Sequence, residues 1–142
     1  MRVRDVIAHK GDTVVTVHPE ATCRQLLALL ARHNIGAAVV SPDGLAVVGI
    51  VSERDVVRRL NDQGAGMLDG PVSDIATQLV ATCELDDEID ELRETMTNMR
   101  IRHIPVLADG RLVGIVSIGD VVKSTISNLE TEKQHLIDYL QG

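Results

Sequence analysis

The ten residues VGIVSERDVV at positions 48–57 return almost unchanged as VGIVSIGDVV at positions 113–122. Only the two residues between the serine and the aspartate differ, ER in the first copy and IG in the second. Each copy begins as an apolar run typical of a buried strand and continues as the start of a helix. Internal similarity of this kind indicates a chain made of two equivalent structural units.

The similarity continues on the N-terminal side of each copy. Each half has a short strand, an amphipathic helix, a second strand and a glycine-containing turn ahead of the repeated stretch. In that order, the segments lie at 13–17, 22–30, 37–40 and 41–44 in the first half, and at 79–82, 86–99, 104–107 and 108–110 in the second. Each half is therefore predicted to have the element order β-α-β-β-α.

The first helix of each half has a recognisable start. Thr22 and Gln25 form a capping box ahead of one helix, and Asp86 or Asp87 is expected to cap the other. The acidic run at 86–91 admits a metal site, but a negative first turn stabilised by the helix dipole explains it more simply.

A unit of about 60 residues buries too little surface to be stable alone. We therefore predict two repeats packed sheet to sheet about a pseudo-twofold axis, in a mixed α/β (α+β) fold. The first repeat is assigned to residues 1–62, a glycine-containing linker to 63–71 and the second repeat, with a C-terminal helix, to 72–142.

The C-terminal helix carries an apolar stripe that must be buried against another surface. The stripe consists of Ile126, Leu129, Leu136 and Leu140. It must pack either on its own domain or on a partner chain, and we favour a homodimer.

Composition excludes several classes of function. The 142-residue chain has no Phe and no Trp, and Tyr139 is its only Tyr, so aliphatic side chains must build the core. The net charge of −7 argues against a nucleic-acid-binding surface. The sequence has neither an apolar stretch of membrane-spanning length nor a signal peptide, and a cytoplasmic protein is expected. Cys23 and Cys83 fit no metal-ligand spacing and are expected to be buried structural thiols.

The pairs Ser52/Asp55 and Ser117/Asp120 allow two interpretations. A Ser-x-x-Asp at the start of a helix is a capping box. Each pair also follows directly on a buried strand, where α/β proteins place ribose and phosphate groups. A carboxylate there repels phosphate but accepts hydrogen bonds from a ribose diol, whereas the serine hydroxyl and the helix-start N–H groups are left to face a phosphate.

The repeated GIVSxxD, the run IRHIPV at 101–106 and the opening TVHP at 16–19 resemble the cystathionine-β-synthase (CBS) domain. The chain is similar along nearly its whole length to small stand-alone bacterial proteins that consist of two such domains. The resemblance implies a disc-like pair of β-α-β-β-α repeats, commonly dimeric. It also implies a cleft that binds AMP, ATP or another adenosyl ligand, NAD-type dinucleotides included.

The resemblance also implies roles for individual residues. Asp55 and Asp120 would hold a ribose, and Ser52 and Ser117 would lie near ribose or phosphate. The adenine slot is assigned to five residues at strand edges: Thr16, Ala38, Thr82, Ile104 and Pro105. Thr82 departs from the family pattern, because a leucine stands where a proline follows Thr16.

The two halves differ in their basic residues. Arg54 lies inside the first Ser-x-x-Asp, whereas Arg102 and His103 precede the core strand of the second half, where the first half has Gly and Ala. We infer that the phosphates of a ligand lie near the pseudo-twofold axis, reached by Arg54 from one repeat and by Arg102 or His103 from the other, and that the two clefts differ in affinity. For His103, a role in the core is equally open. Three further basic residues are secondary candidates for phosphate contacts: Lys10, Arg58 and Arg100. For Arg58 and Arg100 we favour solvated surface charges.

The sequence therefore predicts a regulatory module that senses an adenine nucleotide. AMP is the first candidate, and ATP, NAD(H) and S-adenosylmethionine are the others; an unidentified protein partner would respond to the orientation of the repeats. The alternative is a structural dimerisation module that binds no ligand. Because the chain has none of the common phosphate-loop, hydrolase or metalloprotease motifs, we predict no catalytic activity and no required cofactor or metal.

Overall fold

A computed structural model describes residues 1–11, 13–79 and 81–141. The first half contains α1 (Val3–Lys10), β1 (Thr16–Val17), α2 (Cys23–His33), β2 (Ala37–Val40), β3 (Gly49–Ser52) and α3 (Glu53–Gln63). Two short 3₁₀ helices follow, Ala65–Asp69 and Val72–Asp74. The second half contains β4 (Thr77–Gln78), β5 (Cys83–Glu84), α4 (Ile89–Met99), β6 (His103–Ala108), β7 (Arg111–Ser117) and α5 (Ile118–Gln141).

The strands form two sheets, as the repeat predicts. The first has the order β1-β2-β3-β4 and the second β5-β6-β7. In each sheet the first strand runs parallel to its neighbour, and the following hairpin is antiparallel. The mixed α/β fold with two β-α-β-β-α units and a C-terminal helix is confirmed.

The predicted strand at 79–82 is wrong in position. The second sheet begins at Cys83 and Glu84, which pair with Val106 and Leu107, while β4 joins the first sheet beside β3. Strands of two residues are defined by the partner they meet, and an apolar run alone does not reveal that partner. Val80 of the predicted strand and Gly142 of the predicted second repeat lie outside the described residues.

The hairpins of the two halves share their register over four residue pairs, up to a register shift between Val106 and Leu107 in the second. Ala37 lies opposite Ser52 in the first hairpin, and His103 lies opposite Ser117 in the second. Helices α2 and α4 end alike, because the residue after each helix has a left-handed backbone conformation, Asn34 with φ 52° and Arg100 with φ 55°. Equivalent positions of the two halves can therefore be compared directly.

The N-terminal helix packs on the second half. Val3, Val6 and Ile7 belong to the hydrophobic core around β6 and β7. The first core is completed instead by residues after α3: Met67, Val72 and Ile75. The backbone N–H of Val3 donates to Asp87 O (2.9 Å), and that of Val72 donates to Ala21 O (2.7 Å). The packing thus crosses the boundaries assigned at 62 and 72, because sequence order does not tell which of two similar sheets a segment covers.

The acidic run anchors α1. Asp86 Oδ1 lies 2.6 Å from Arg4 Nη2, and Asp87 Oδ2 accepts the N–H of Glu84 at 2.9 Å. Helix α4 starts after Glu88, whose side chain makes no capping bond, so the expected cap by Asp86 or Asp87 is wrong. The described residues hold no group of three or more potential metal ligands. Asp86 thus contacts a distant segment and Asp87 a residue of the preceding turn, and neither contact was visible in the helix pattern.

Two aliphatic cores each enclose one thiol, as predicted. Cys23 is 0% exposed and Cys83 is 4% exposed. Burial, and next the charge of Asp87, raise the pKa of Cys83 to about 12, and burial is the main cause that raises the pKa of Cys23. In the described part of the chain, no helix is both long enough and apolar enough to cross a bilayer.

Candidate functional site

Each Ser-x-x-Asp forms a capping box at the junction of a strand and a helix. We call Ser52 with Asp55 the first corner and Ser117 with Asp120 the second corner. In the first corner, Asp55 Oδ2 accepts the backbone N–H (2.8 Å) and the hydroxyl (3.1 Å) of the serine. The same bonds measure 2.9 Å and 3.0 Å in the second corner. The capping interpretation therefore holds for both pairs.

The cap leaves part of each carboxylate for other partners. Its hydrogen bonds involve Oδ2, and among the described residues none reaches Oδ1 of Asp55. A carboxylate oxygen accepts two hydrogen bonds. Capping the helix and accepting a hydroxyl of a ligand are thus compatible tasks for one aspartate.

A cavity of about 640 Å³ opens at the first corner. The first half contributes Ser52, Arg54, Asp55 and Arg58. The second half contributes Arg100, Arg102 and His103, together with Thr77, Gln78, Leu79 and Ala81 from β4 and the residues that follow it. The structure thus brings Arg54 together with Arg102 and His103, as the comparison of the two halves suggested. Their contact with a phosphate stays a prediction. Arg58 and Arg100, secondary candidates in the sequence, line the same cavity.

The cavity is rich in cations although the chain is acidic. Four arginines line it, against the carboxylates of Glu53 and Asp55. Within the described ranges, none of the four forms a salt bridge with a protein carboxylate; six other ion pairs are present. Guanidinium groups without a carboxylate partner favour an anionic ligand with several oxygen acceptors.

The second corner is occupied by a lysine. Lys10 Nζ lies 2.6 Å from Asp120 Oδ2 and 2.9 Å from the carbonyl oxygen of Ile115. Burial alone would raise the pKa of Asp120, but hydrogen bonds from Lys10 and Ser117 outweigh it and hold the pKa below its ordinary value. Of the residues described, those of the second corner do not line the 640 Å³ cavity, nor does Lys10.

His103 lies between the cavity and the second corner. It is partly buried at the start of β6, opposite Ser117. Burial lowers the pKa of His103, the charges of Lys10 and Arg102 lower it further, and Asp120 opposes them. A neutral imidazole at pH 7 can still donate one hydrogen bond and accept another.

The residues assigned to the adenine slot lie elsewhere in the described structure. Ala38, Ile104 and Pro105 are buried within β2 and β6; Thr16 is partly buried in β1, and Thr82 is exposed before β5. None of these five lines the 640 Å³ cavity. Its apolar wall consists instead of Ile50, Leu79, Ala81, Met99 and Ile101. The alternation of apolar and basic residues at 99–102 is the sequence signal that would have indicated part of this wall.

Comparison with known proteins agrees with this architecture. The family model of the CBS domain matches residues 3–62 and 72–126. The CBS domain-containing protein CBSX3, mitochondrial, of Arabidopsis thaliana is 35% identical over 99% of this chain and 72% of its own length.

The solved structures that are similar to this chain include the following two. The CBS-domain containing protein ATU1752 from Agrobacterium tumefaciens is 43% identical, with a TM-score of 0.84 over 88% of this chain and 99% of that one. The CBS domain protein PAE2072 from Pyrobaculum aerophilum, complexed with AMP, is 31% identical, with a TM-score of 0.74 over 84% of this chain and 89% of that one. With two matched repeats in one fold, the chain belongs to the CBS-domain family.

Proposed function

We propose that this protein is a regulatory module that binds an adenine nucleotide, AMP first, in the cavity at the first corner and does not transform it. The observation that carries the proposal is the convergence of Asp55, Arg54 and Arg102 on one cavity, since they come from both halves of the molecule. The AMP complex of PAE2072 supports the choice of ligand.

The chemistry of the cavity suits the three parts of a nucleotide. Oδ1 of Asp55, which accepts no hydrogen bond from the described residues, would accept hydrogen bonds from a ribose diol. The guanidinium groups of Arg54, Arg100 and Arg102 provide forked donors for phosphate oxygens. The apolar wall offers aliphatic contact for a flat base. A volume of about 640 Å³ is within the range of pockets that bind small ligands.

A ligand in this cavity would connect the two halves. Arg54 lies in the first turn of α3 in the first half, and Arg102 precedes β6 of the second. A nucleotide that contacts both favours the relative orientation in which both contacts form, and a protein partner that contacts the two halves can respond to this population shift. The identity of the nucleotide and of the partner belongs to the proposal.

The first test is a thermal-shift and calorimetric panel with AMP, ATP, NAD(H) and S-adenosylmethionine. A ligand at 100 times its Kd stabilises the folded state by about 2.7 kcal/mol. Loss of one charge-assisted contact is worth roughly 1.5–3 kcal/mol, so Arg102→Ala should weaken binding at least tenfold. Arg32→Ala, an exposed arginine at the end of α2, is the matched control and should bind as the wild type does.

A structural module without a ligand is the competing function, and the exposed apolar stripe of α5 favours it. In that case no nucleotide in the panel raises the melting temperature, and Arg102→Ala and Arg32→Ala behave alike. Catalysis is tested separately by incubation with ATP or NAD(H), where we expect the nucleotide to be recovered unchanged.

A further inference from the structure

Helix α1, which packs on the second core, is about one turn longer than the segment that takes the equivalent place on the first core. The corresponding segment is the 3₁₀ helix Val72–Asp74, whose first residue bonds to the first half as Val3 bonds to the second. After this 3₁₀ helix the chain becomes β4, and Thr77 pairs with Ile50 of β3. Helix α1 forms no such strand and continues as far as Lys10.

The added turn places a cation on the second corner. Ile115 is the counterpart of Ile50, and its carbonyl oxygen accepts a hydrogen bond from Lys10 Nζ. The same ammonium group lies 2.6 Å from Asp120 Oδ2. At the equivalent place beside Asp55 the structure has the 640 Å³ cavity.

We propose that Lys10 is a built-in occupant of the second corner, which limits the protein to one nucleotide per chain, bound at the first corner. The inference rests on the proposed function, because it takes an aspartate of the corner as the group that holds the ribose. It assigns to Lys10 a competitive role: its ammonium pairs with the Asp120 carboxylate at Oδ2 and so stands beside the group that a ribose would have to approach.

Lys10 can leave without disturbing the core. Its side chain is 32% exposed, whereas that of Asp120 is 16% exposed. Because the lysine is tethered to α1, it competes at a high effective concentration with any free ligand. Removal of the side chain at position 10 should therefore convert the second corner from an occupied to an accessible site.

The test is the stoichiometry of AMP binding to the full chain, measured by isothermal titration calorimetry. We expect one AMP per chain for the wild type and two for Lys10→Ala. Arg4→Ala is the matched control, because it also removes a cation and an ion pair from α1, on the side that faces Asp86. This control variant should still bind one AMP per chain. The double variant Lys10→Ala/Asp120→Asn should again bind one AMP per chain.

A single substitution in the wild-type background gives an independent result. If Lys10 already occupies Asp120, then Asp120→Asn changes the affinity for AMP by no more than about twofold, the size expected for a residue outside the site, whereas Asp55→Asn weakens AMP binding at least tenfold. Two AMP molecules bound by the wild type, or one bound by a folded Lys10→Ala variant, would overturn the proposal. A wild-type protein that binds no nucleotide would contradict the proposed function itself.

Discussion

His103 lies half-buried in the wall of the cavity, where burial and the charges of Lys10 and Arg102 lower its pKa. The folded protein therefore keeps this imidazole neutral while the unfolded chain takes up a proton below about pH 6.5. Because the unfolded state then binds more protons, stability falls as the pH drops below that value and levels off below the pKa of the folded state. The lowered pKa of Asp120 acts in the same direction at more acidic pH, where that carboxylate is protonated.

His103→Gln should remove this contribution. Urea denaturation at pH 7.5 and pH 5.5 measures it, and the variant should lose less stability between the two pH values than the wild type does. His33→Gln, at the exposed end of α2, is the control. Parallel losses for His103→Gln and the wild type would show that the imidazole is protonated in the folded protein.

Two glycines at equivalent places in the halves give a second prediction for single residues. A Cβ added at Gly49 would lie 2.6 Å from the carbonyl oxygen of Thr77, which is fixed in β4. At Gly114 the nearest atom, at 2.7 Å, is Cδ1 of Ile7, the far end of a flexible side chain. Gly49→Ala should cost about 1–3 kcal/mol of unfolding free energy by overpacking, and Gly114→Ala should cost less. Chemical denaturation measures the free energy of unfolding of both variants. A larger loss for Gly114→Ala than for Gly49→Ala would contradict the packing described for β4.

At the scale of secondary-structure elements, the two thiols report on the two cores. Val3 of α1 packs in the core that holds Cys83, and Val72 packs in the core that holds Cys23. With a pKa of about 12, Cys83 reacts with iodoacetamide at pH 8 only when its core opens.

Truncation of either valine should open one core more than the other. A buried valine reduced to alanine costs on the order of 2 kcal/mol, so Val3→Ala should accelerate labelling of Cys83 most and Val72→Ala should accelerate labelling of Cys23 most. Labelling of each thiol is followed by mass spectrometry in the native protein. Faster reaction of Cys23 in the Val3 variant would contradict the assignment of α1 to the second core.

The sequence predicted best those elements that show a periodic pattern of apolar residues or a helix-capping motif. Helix α2, its Thr22–Gln25 capping box and both repeated strand-to-helix junctions follow from residues close together in the chain. The missed features depend on distant partners. Strand β4 exists because β3 offers it an edge, and Asp86 is drawn from its expected cap by Arg4.

The same distinction holds for the site. The difference between the basic residues of the two halves, with the pseudo-twofold axis, was enough to suggest that Arg54, Arg102 and His103 meet. It did not reveal that Lys10 reaches the other aspartate, because the added turn of α1 has no counterpart from which to infer it. Leu79 and Ala81 of the apolar wall were missed because the sequence assigned them to a strand, whereas they lie in the connection between β4 and β5.

At the scale of the whole molecule, α5 presents an uncovered apolar stripe. Ile126, Leu129, Leu136 and Leu140 are between 51% and 81% exposed along this 24-residue helix. A contiguous apolar face of this kind is typical of an interface, and we propose that a second copy of the chain covers it.

Leu129→Glu with Leu136→Glu should therefore convert a dimer to a monomer, because two charges would be desolvated at the interface. Light scattering after size exclusion gives the mass. Asn128→Glu, which adds the same charge beside the stripe, should remain dimeric. A wild-type protein that is monomeric at all concentrations would leave the stripe without this role.

The crossed placement of α1 also sets the order in which the molecule can be completed during synthesis. The first core has all its parts once the ribosome has delivered Gln78, the end of β4. Helix α1 is made before every strand of the two sheets, yet the strand it covers ends only at Ser117. The residues of α1 can therefore pack only after β7 has been made, when the first core is already complete, and their packing is the long-range, slow step that we expect to end folding.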